Sequence, residues 1–127
     1  MKVKIAYTGN PNYGLAEAWG KTVSSSVYYT DYFSRRNHWN FDEPEIRYKF
    51  ARESLLYDIV INNSALHNFQ QTLLLKDIWD IWNKEQHSGR IINIGSTADR
   101  SNSGTDWIYP TEKKALREFS LGLSMMS

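Results

Sequence analysis

The sequence predicts an α/β fold in which a parallel β-sheet carries helices on both faces. Short runs of apolar, β-branched residues alternate along the chain with patterns typical of helices, the order that produces parallel strands. Of the 127 residues, 41% are hydrophobic and 14% aromatic, which is enough for a core. Because no repeat, linker or low-complexity segment divides the chain, we expect one domain over residues 1–127. We expect about five strands, in the order 3-2-1-4-5.

The composition indicates which partners the protein has. The chain carries 15 basic and 14 acidic residues without a long run of either sign, so we expect a small-molecule partner and no nucleic acid or anionic membrane surface. The sequence contains no Cys, and its three His, at positions 38, 67 and 87, lack the spacing of metal ligands. We therefore expect no disulfide and no metal site.

The sequence also bears on localisation. The amino-terminal residues MKVKIAYTGN become polar too soon for a signal peptide. No apolar stretch approaches the roughly 20 residues that a membrane-spanning helix needs. We therefore expect a soluble, cytoplasmic protein.

The first strand is predicted at Val3 to Tyr7, and a turn then leads into a helix from Gly14 to about Lys21. Gly9 permits a tight turn, Gly14 lets the backbone approach a diphosphate, and the helix supplies free amides and a positive dipole end. An ordinary Asn-Pro turn is the alternative. The cofactor-binding candidates in this segment are Gly9, Asn10, Gly14 and Leu15.

The second strand is predicted within Val23 to Phe33, and its end should lie beside the adenosine ribose of a dinucleotide. An acidic residue there accepts a hydrogen bond from a ribose 2′-hydroxyl, whereas an Arg pairs with a 2′-phosphate. Both are present, as Asp31 and as Ser34-Arg35. These residues by themselves leave the choice between NAD and NADP open, and a solvated turn is the alternative for the Arg residues.

The middle of the chain predicts two helices around a buried strand. The segment Asn40 to Glu45 opens a helix that runs to Leu55, with Asp42 as its N-cap. A strand at Tyr57 to Ile61 follows, and then a helix from Asn68 to Gln86. This second helix is apolar on more than one side, so we expect it to need a partner beyond the sheet. Its apolar residues are Phe69, Leu73, Leu74, Leu75, Ile78, Trp79, Ile81 and Trp82.

The last predicted strand, Ile91 to Ile94, is mostly β-branched and expected to be buried. It leads into Ser96 at its carboxyl end, where ligands of open α/β sheets lie. Tyr109 precedes Pro110 at a helix start, and Lys113 follows one turn later, so phenol and ammonium share a face. A nearby ammonium lowers the pKa of a phenol, and Ser96 can hold a substrate oxygen. The set suits proton transfer to a carbonyl. We expect the polar loop Thr97 to Ile108 to form the pocket wall, and Leu116, Phe119, Leu123 and Met126 to form an apolar helix stripe.

Ser96 and Tyr109-Pro-Thr-Glu-Lys113, after a Gly-Arg-Ile-Ile-Asn strand, resemble the catalytic segment of the short-chain dehydrogenases/reductases. The turn at Gly9 resembles the Thr-Gly-x-x-x-Gly-x-Gly motif of the family, with one extra residue and Ala16 in place of the last glycine. The segment Asn62-Asn63-Ser64-Ala65 resembles its Asn-Asn-Ala-Gly turn, which lines the cofactor site. Ser34-Arg35 resembles its NADP-preferring pattern, so we favour Arg35 and NADP over NAD. In the family a short strand precedes the helix that opens here at Asn40 to Glu45, and an Asp near the end of that strand contacts adenine, a role that Asp42 or Asn40 would take. Asn68 stands close to where the family keeps an Asn that holds a water; a helix cap is the alternative for Asn68.

The resemblance implies a Rossmann-like NAD(P)-binding domain that interconverts a carbonyl and an alcohol by hydride transfer, with a family-like homodimer or homotetramer. Tyr109 would be the acid/base, Lys113 would lower its pKa and bind the nicotinamide ribose, and Ser96 would orient the carbonyl. The resemblance covers the amino-terminal part of the family's domain, so we expect a short form that lacks the carboxyl-terminal strands. The alternative is a dinucleotide-binding or interaction module that performs no chemistry.

Overall fold

A computed structural model describes residues 2–63, 69–94 and 108–126, with side chains at 111–123 in the last range. Four strands are present in this part of the chain: β1 (Val3–Thr8), β2 (Tyr28–Phe33), β3 (Ile59–Asn62) and β4 (Arg90–Asn93). The helices are α1 (Gly14–Thr22), α2 (Pro44–Glu53), α3 (Gln70–Lys84) and α4 (Ile108–Met126). Short 3₁₀ turns occupy Arg35–Asn37 and Ser54–Leu56. None of the helices described is both long and apolar enough to span a bilayer.

The strands form one parallel sheet in the order β2-β1-β3-β4. In the register, Ala6 of β1 lies between Asp31 of β2 and Val60 of β3, and Val60 in turn pairs with Ile91 of β4. The parallel α/β class is confirmed. The expected strand number is corrected from five to four within the described residues, because no strand forms between β2 and α2.

The segment after β2 forms a 3₁₀ turn rather than a strand because its side chains bond to nearby backbone groups. Asn37 Oδ1 accepts from the Ser34 amide at 2.9 Å, and Asn37 Nδ2 donates to the Tyr32 carbonyl at 2.8 Å. His38 then adopts a left-handed conformation with φ of 73° and ends the turn. Such local side-chain bonds compete with strand pairing for the backbone.

The boundaries of several elements differ from those expected. β2 begins at Tyr28 and not near Val23, because the preceding serines form a turn in which the Tyr28 amide donates to Ser24 O at 3.0 Å. α2 begins at Pro44 with Glu43 as its N-cap, so the interpretation of Asp42 as the N-cap is wrong. α3 begins at Gln70.

Helices cover both faces of the sheet, as expected. On one face, α1 packs over the cluster of Ile5, Tyr7, Ala16 and Ile61. On the other face, α2 and α3 bury a larger cluster, which includes Phe33, Phe50, Val60, Leu74 and Ile78. Burial at this second face removes most of the apolar surface of α3 from solvent, since five of its eight predicted apolar residues are buried: Leu74, Leu75, Ile78, Ile81 and Trp82. Phe69 and Leu73 remain exposed.

Arg47 on α2 is a buried charge that ties α2 to the segment before it and to α3. Its Nη1 donates to the Phe41 carbonyl at 2.9 Å and also contacts the Gln70 side chain. Its Nε lies 3.5 Å from Asp77 Oδ2, and burial raises the pKa of that carboxyl. These contacts fix the segment that carries Asp42.

Candidate functional site

The candidate site lies at the carboxyl ends of β1 and β3. The connection after β1 leads to β2 on one side of the sheet, and the connection after β3 leads to β4 on the other side. In open α/β sheets ligands bind in the crevice at this position. The two strand ends are joined by side chains: the Asn63 amide donates to Thr8 Oγ1 at 2.9 Å, and Asn63 Nδ2 donates to the Tyr7 hydroxyl at 3.1 Å. Burial raises the pKa of Tyr7, so this phenol stays protonated at neutral pH. Asn63 is thus a structural part of the crevice floor.

The turn after β1 presents the amino end of α1 to this crevice. The Gly9 amide donates to Phe33 O at 2.9 Å, and a Cβ on Gly9 would lie 3.2 Å from the Tyr7 ring, so a larger residue would disturb the turn. Gly14 opens the helix with φ of +56° and has no atom within 4 Å of a Cβ added there. An L-residue is strained at this φ, while the open space leaves its backbone accessible.

The first amides of α1 are available to an anion. The earliest bond into this helix runs from the Glu17 amide to Tyr13 O at 3.2 Å, so the amides of residues 14–16 precede the hydrogen-bond ladder. Asn10 holds the turn from within, since its Oδ1 accepts from the Asn12 amide at 2.9 Å. Leu15 is half exposed beside these groups. Free amides, a positive helix end and accessible glycine backbone together fit a diphosphate.

The end of β2 carries an exposed ion pair between Arg35 and Asp42, whose side chains are 67% and 38% exposed. Ser34, which precedes Arg35, directs its amide to Asn37. Asp31 lies inside β2, where it accepts a hydrogen bond from the Tyr57 hydroxyl. Burial and this contact with Asp31 raise the pKa of Tyr57. Arg35 is therefore the charged residue at the strand end, while Asp31 is already engaged within the sheet.

Lys113 on α4 is buried, and its Nζ donates to Gln71 Oε1 at 2.7 Å. Gln71 Nε2 donates in turn to the Asn62 carbonyl at 2.9 Å. The Asn62 Nδ2 donates to the Gln71 carbonyl at 3.2 Å and to Asn93 Oδ1 at 3.0 Å. Asn93 Nδ2 donates to Ser120 Oγ at 3.1 Å. These hydrogen bonds form one polar network, whose members are Gln71, Lys113, Asn62, Asn93 and Ser120. The polar network joins the carboxyl ends of β3 and β4 to α3 and α4.

The structure brings several of the predicted site residues to one edge of the sheet. Gly9, Asn10, Gly14 and Leu15 surround the amino end of α1, Asn62 and Asn63 end β3, and Lys113 reaches the network beside them. Tyr109 belongs to α4, one turn before Lys113, but its side chain is outside the described part. Ser96, Asn68, Ser64 and Ala65 also lie outside the described residues. So does the expected pocket wall from Thr97 to Ile108, apart from Ile108, whose backbone begins α4.

Gln71 is the site residue that the sequence interpretation missed. It lies on the same helical stripe as Leu74, Leu75 and Ile78, all of which are buried. A polar residue on such a stripe must find buried partners, because an unpaired amide in a core is unfavourable. A glutamine on an otherwise apolar helical stripe was therefore the feature of the sequence that could have identified Gln71 as a site residue.

A groove of about 650 Å³ lies along β4, outside the crevice at the amino end of α1. Its lining includes Trp79, Trp82 and Ile91, and it borders the polar network at Asn93 and Ser120. None of the predicted catalytic or cofactor-binding residues is among the described residues that line it. We therefore place the candidate site at the glycine turn and the network, and not in this groove.

Comparison with known proteins assigns the fold. No family model matches the sequence, and no curated protein matches it. Solved structures do match: a short-chain dehydrogenase/reductase from Burkholderia phymatum in complex with NAD has a TM-score of 0.75 at 13% identity. A 4-hydroxyisoleucine dehydrogenase complexed with NADH and succinate has a TM-score of 0.75 at 17% identity, and a small-chain dehydrogenase in complex with NADPH has 0.70 at 13%.

The alignment covers 99% of this chain for the Burkholderia enzyme, 96% for the 4-hydroxyisoleucine dehydrogenase and 99% for the dehydrogenase in complex with NADPH. The alignments cover 60%, 72% and 65% of the three solved chains, in the same order, so this chain spans less than two thirds of the length of the Burkholderia enzyme. The chain has the Rossmann-like fold of short-chain dehydrogenases/reductases over nearly all of its length.

Proposed function

We propose that the chain is a single-domain, NAD(P)-dependent oxidoreductase of the short-chain dehydrogenase/reductase type, which interconverts a small carbonyl compound and an alcohol. One observation carries the proposal: the glycine turn at the amino end of α1 and the buried Lys113 network meet at the carboxyl ends of neighbouring strands. The shared fold supports it, because the solved structures with this fold include dehydrogenases complexed with NAD, NADH and NADPH.

The residues of the crevice suit a nicotinamide dinucleotide, which when bound supplies or accepts the hydride. The amides of residues 14–16 and the backbone at Gly9, Asn10 and Leu15 would hold the diphosphate. Ser34 and Arg35 would receive a 2′-phosphate, which gives the preference for NADP over NAD. The turn of residues 62–65 would line the site.

The proton chemistry would come from α4 and the end of β4. Tyr109 would donate or accept the proton at the substrate oxygen, because a buried ammonium one turn away favours the phenolate. Lys113 is that ammonium, and we propose that it also binds the nicotinamide ribose. Ser96 would hold the substrate oxygen, and Asn68 would hold a water on the proton path. We also propose a cytoplasmic homo-oligomer, for which exposed Phe69, directly before α3, and exposed Leu73 on α3 provide an apolar surface.

The proposal is tested by following the absorbance of reduced nicotinamide with a panel of aldehydes, ketones and alcohols, at pH values from acid to alkaline. We expect turnover with NADPH that is lost in the Lys113→Met variant. A matched control is Lys114→Met, which changes the neighbouring, partly exposed lysine on the same helix. Failure to bind either cofactor at millimolar concentration would overturn the proposal.

A dinucleotide-binding module without chemistry is the second candidate. The hydrogen bond from Lys113 to Gln71 favours it, because an ammonium engaged inside the fold is less available to a ribose or a phenol. The same assay separates the two functions: cofactor binding without turnover on any substrate class supports the module.

A further inference from the structure

Gln71 joins three secondary-structure elements through one buried side chain, which is 5% exposed. We propose that Gln71 is the positioning residue for Lys113 and holds its ammonium at the carboxyl ends of β3 and β4. No catalytic contact is assigned to Gln71 itself; it acts through Lys113.

The orientation of the Gln71 amide follows from its partners. Nε2 donates to the Asn62 carbonyl at 2.9 Å and approaches the Ile94 carbonyl at 3.4 Å, and both of these groups only accept hydrogen bonds. Oε1 therefore points the other way, toward Lys113 Nζ at 2.7 Å, which only donates. The flipped amide would place NH₂ against the ammonium and oxygen against the carbonyls. The backbone of β3 thus determines where Lys113 finds its acceptor.

The choice of an amide also preserves the charge of Lys113. A neutral oxygen accepts from the ammonium without cancelling its positive charge, whereas a carboxylate at the same position would form an ion pair. The net positive charge that acts on a phenol one turn away would therefore be smaller in the second case than in the first. This consequence rests on the proposed function; the positioning itself does not.

The positioning is tested by competitive acetylation with a limiting amount of an amine reagent, read by peptide mass spectrometry. Lys21, whose side chain is 73% exposed, serves as the internal reference. The variants are Gln71→Leu, which removes all three side-chain hydrogen bonds, and Gln71→Glu, which keeps only the acceptor. Thr72→Val is the matched control, because its Oγ1 is buried on the same turn without a hydrogen-bond partner among the described residues.

In Gln71→Leu we expect labelling of Lys113 relative to Lys21 to rise about tenfold or more, the factor for losing a hydrogen bond to a charged group. In Gln71→Glu we expect labelling at or below the wild-type level, and Thr72→Val should match the wild type. If Gln71 only fills space, neither variant should change the labelling of Lys113, because Leu and Glu are close to Gln in size, and an unchanged Gln71→Leu would overturn the proposal. An equal rise in both variants would indicate a general loosening of the fold and would overturn it too. If Gln71→Leu does not fold, a rise in Gln71→Glu overturns it and a fall supports it.

The catalytic consequence is measured in the pH profile of kcat. In Gln71→Glu the limb of the kcat profile that reports the ionisation of Tyr109 should move by about one pH unit to higher pH. The KM of the carbonyl substrate should change little. An unshifted profile would show that Lys113 does not act on Tyr109 through its charge. Absence of all turnover would count against the proposed function alone, since the labelling result decides the positioning of Lys113 independently.

Discussion

The ion pair between Arg35 and Asp42 makes the choice of cofactor testable with two substitutions of opposite effect. Both side chains are substantially exposed, so the pair itself contributes only about 0.2–1 kcal/mol. A charge-assisted bond to a 2′-phosphate contributes about 1.5–3 kcal/mol, so the phosphate displaces Asp42. Arg35→Ala should weaken NADPH binding about tenfold or more and leave NADH within about twofold. Asp42→Asn frees the guanidinium and should strengthen NADPH binding by up to about fivefold.

Titration calorimetry with NADPH and NADH against the wild type and both variants measures these changes. Arg36→Ala is the matched control, because it removes an identical charge from an exposed neighbour in the same 3₁₀ turn. Losses of equal size for both cofactors in Arg35→Ala would refute the assignment. An equal loss of NADPH affinity in Arg36→Ala would refute it too, since general charge and not a specific contact would then explain the effect.

Three further predictions concern catalysis, alkaline stability and assembly. Tyr109→Phe should lower kcat about 10²-fold or more while calorimetry finds cofactor affinity unchanged; near-normal turnover would eliminate Tyr109 as acid/base. The pKa of Tyr57 is raised above its ordinary 10.0, so its contribution to stability is present below that pH and is lost as the pH rises past it. Above pH 10 the free energy of unfolding, measured with denaturant, should therefore fall less steeply with pH in Tyr57→Phe than in the wild type. The two slopes should differ by at most roughly 1.4 kcal/mol per pH unit, and identical slopes would contradict this. Light scattering at micromolar concentration should give at least twice the chain mass of 14.8 kDa, and Leu73→Glu, but not the equivalent change at exposed Leu56, should reduce it to one chain.

The sheet was predictable where local pattern and burial agree. β1 and β3 coincide with short apolar runs and are largely buried, as their β-branched residues predict. β4 also coincides with an apolar run, but the expectation that it is buried is wrong: its residues are half-buried or exposed, and Ile92 is 38% exposed, because β4 is the last strand of the sheet in the described residues. The run from Val23 to Phe33 contains all of β2, but it begins too early, because Ser24 to Ser26 form a turn of their own. A short strand between β2 and α2 was expected from the family resemblance, but the residues themselves specify a turn at Ser34 and Asn37.

The candidate site was predictable at the positions that have local signatures. The glycines around the amino end of α1 predict a turn and a helix start. Asn62 and Asn63 stand at the end of a buried apolar run. Gln71 and Lys113 are 42 positions apart, and their hydrogen bond arises only when α3 and α4 meet. Likewise the pairing of Asp31 with Tyr57 depends on the packing of β2 beside the segment before β3. Neither contact has a signature within one element.

A crystal structure of the protein with NADPH tests the central claim most directly. We expect the diphosphate at the amides of residues 14–16, the 2′-phosphate at Arg35, and the nicotinamide ribose within hydrogen-bonding distance of Lys113 Nζ. NADPH bound instead in the groove along β4, or no NADPH at saturating concentration, would contradict the assignment of the crevice as a dinucleotide site.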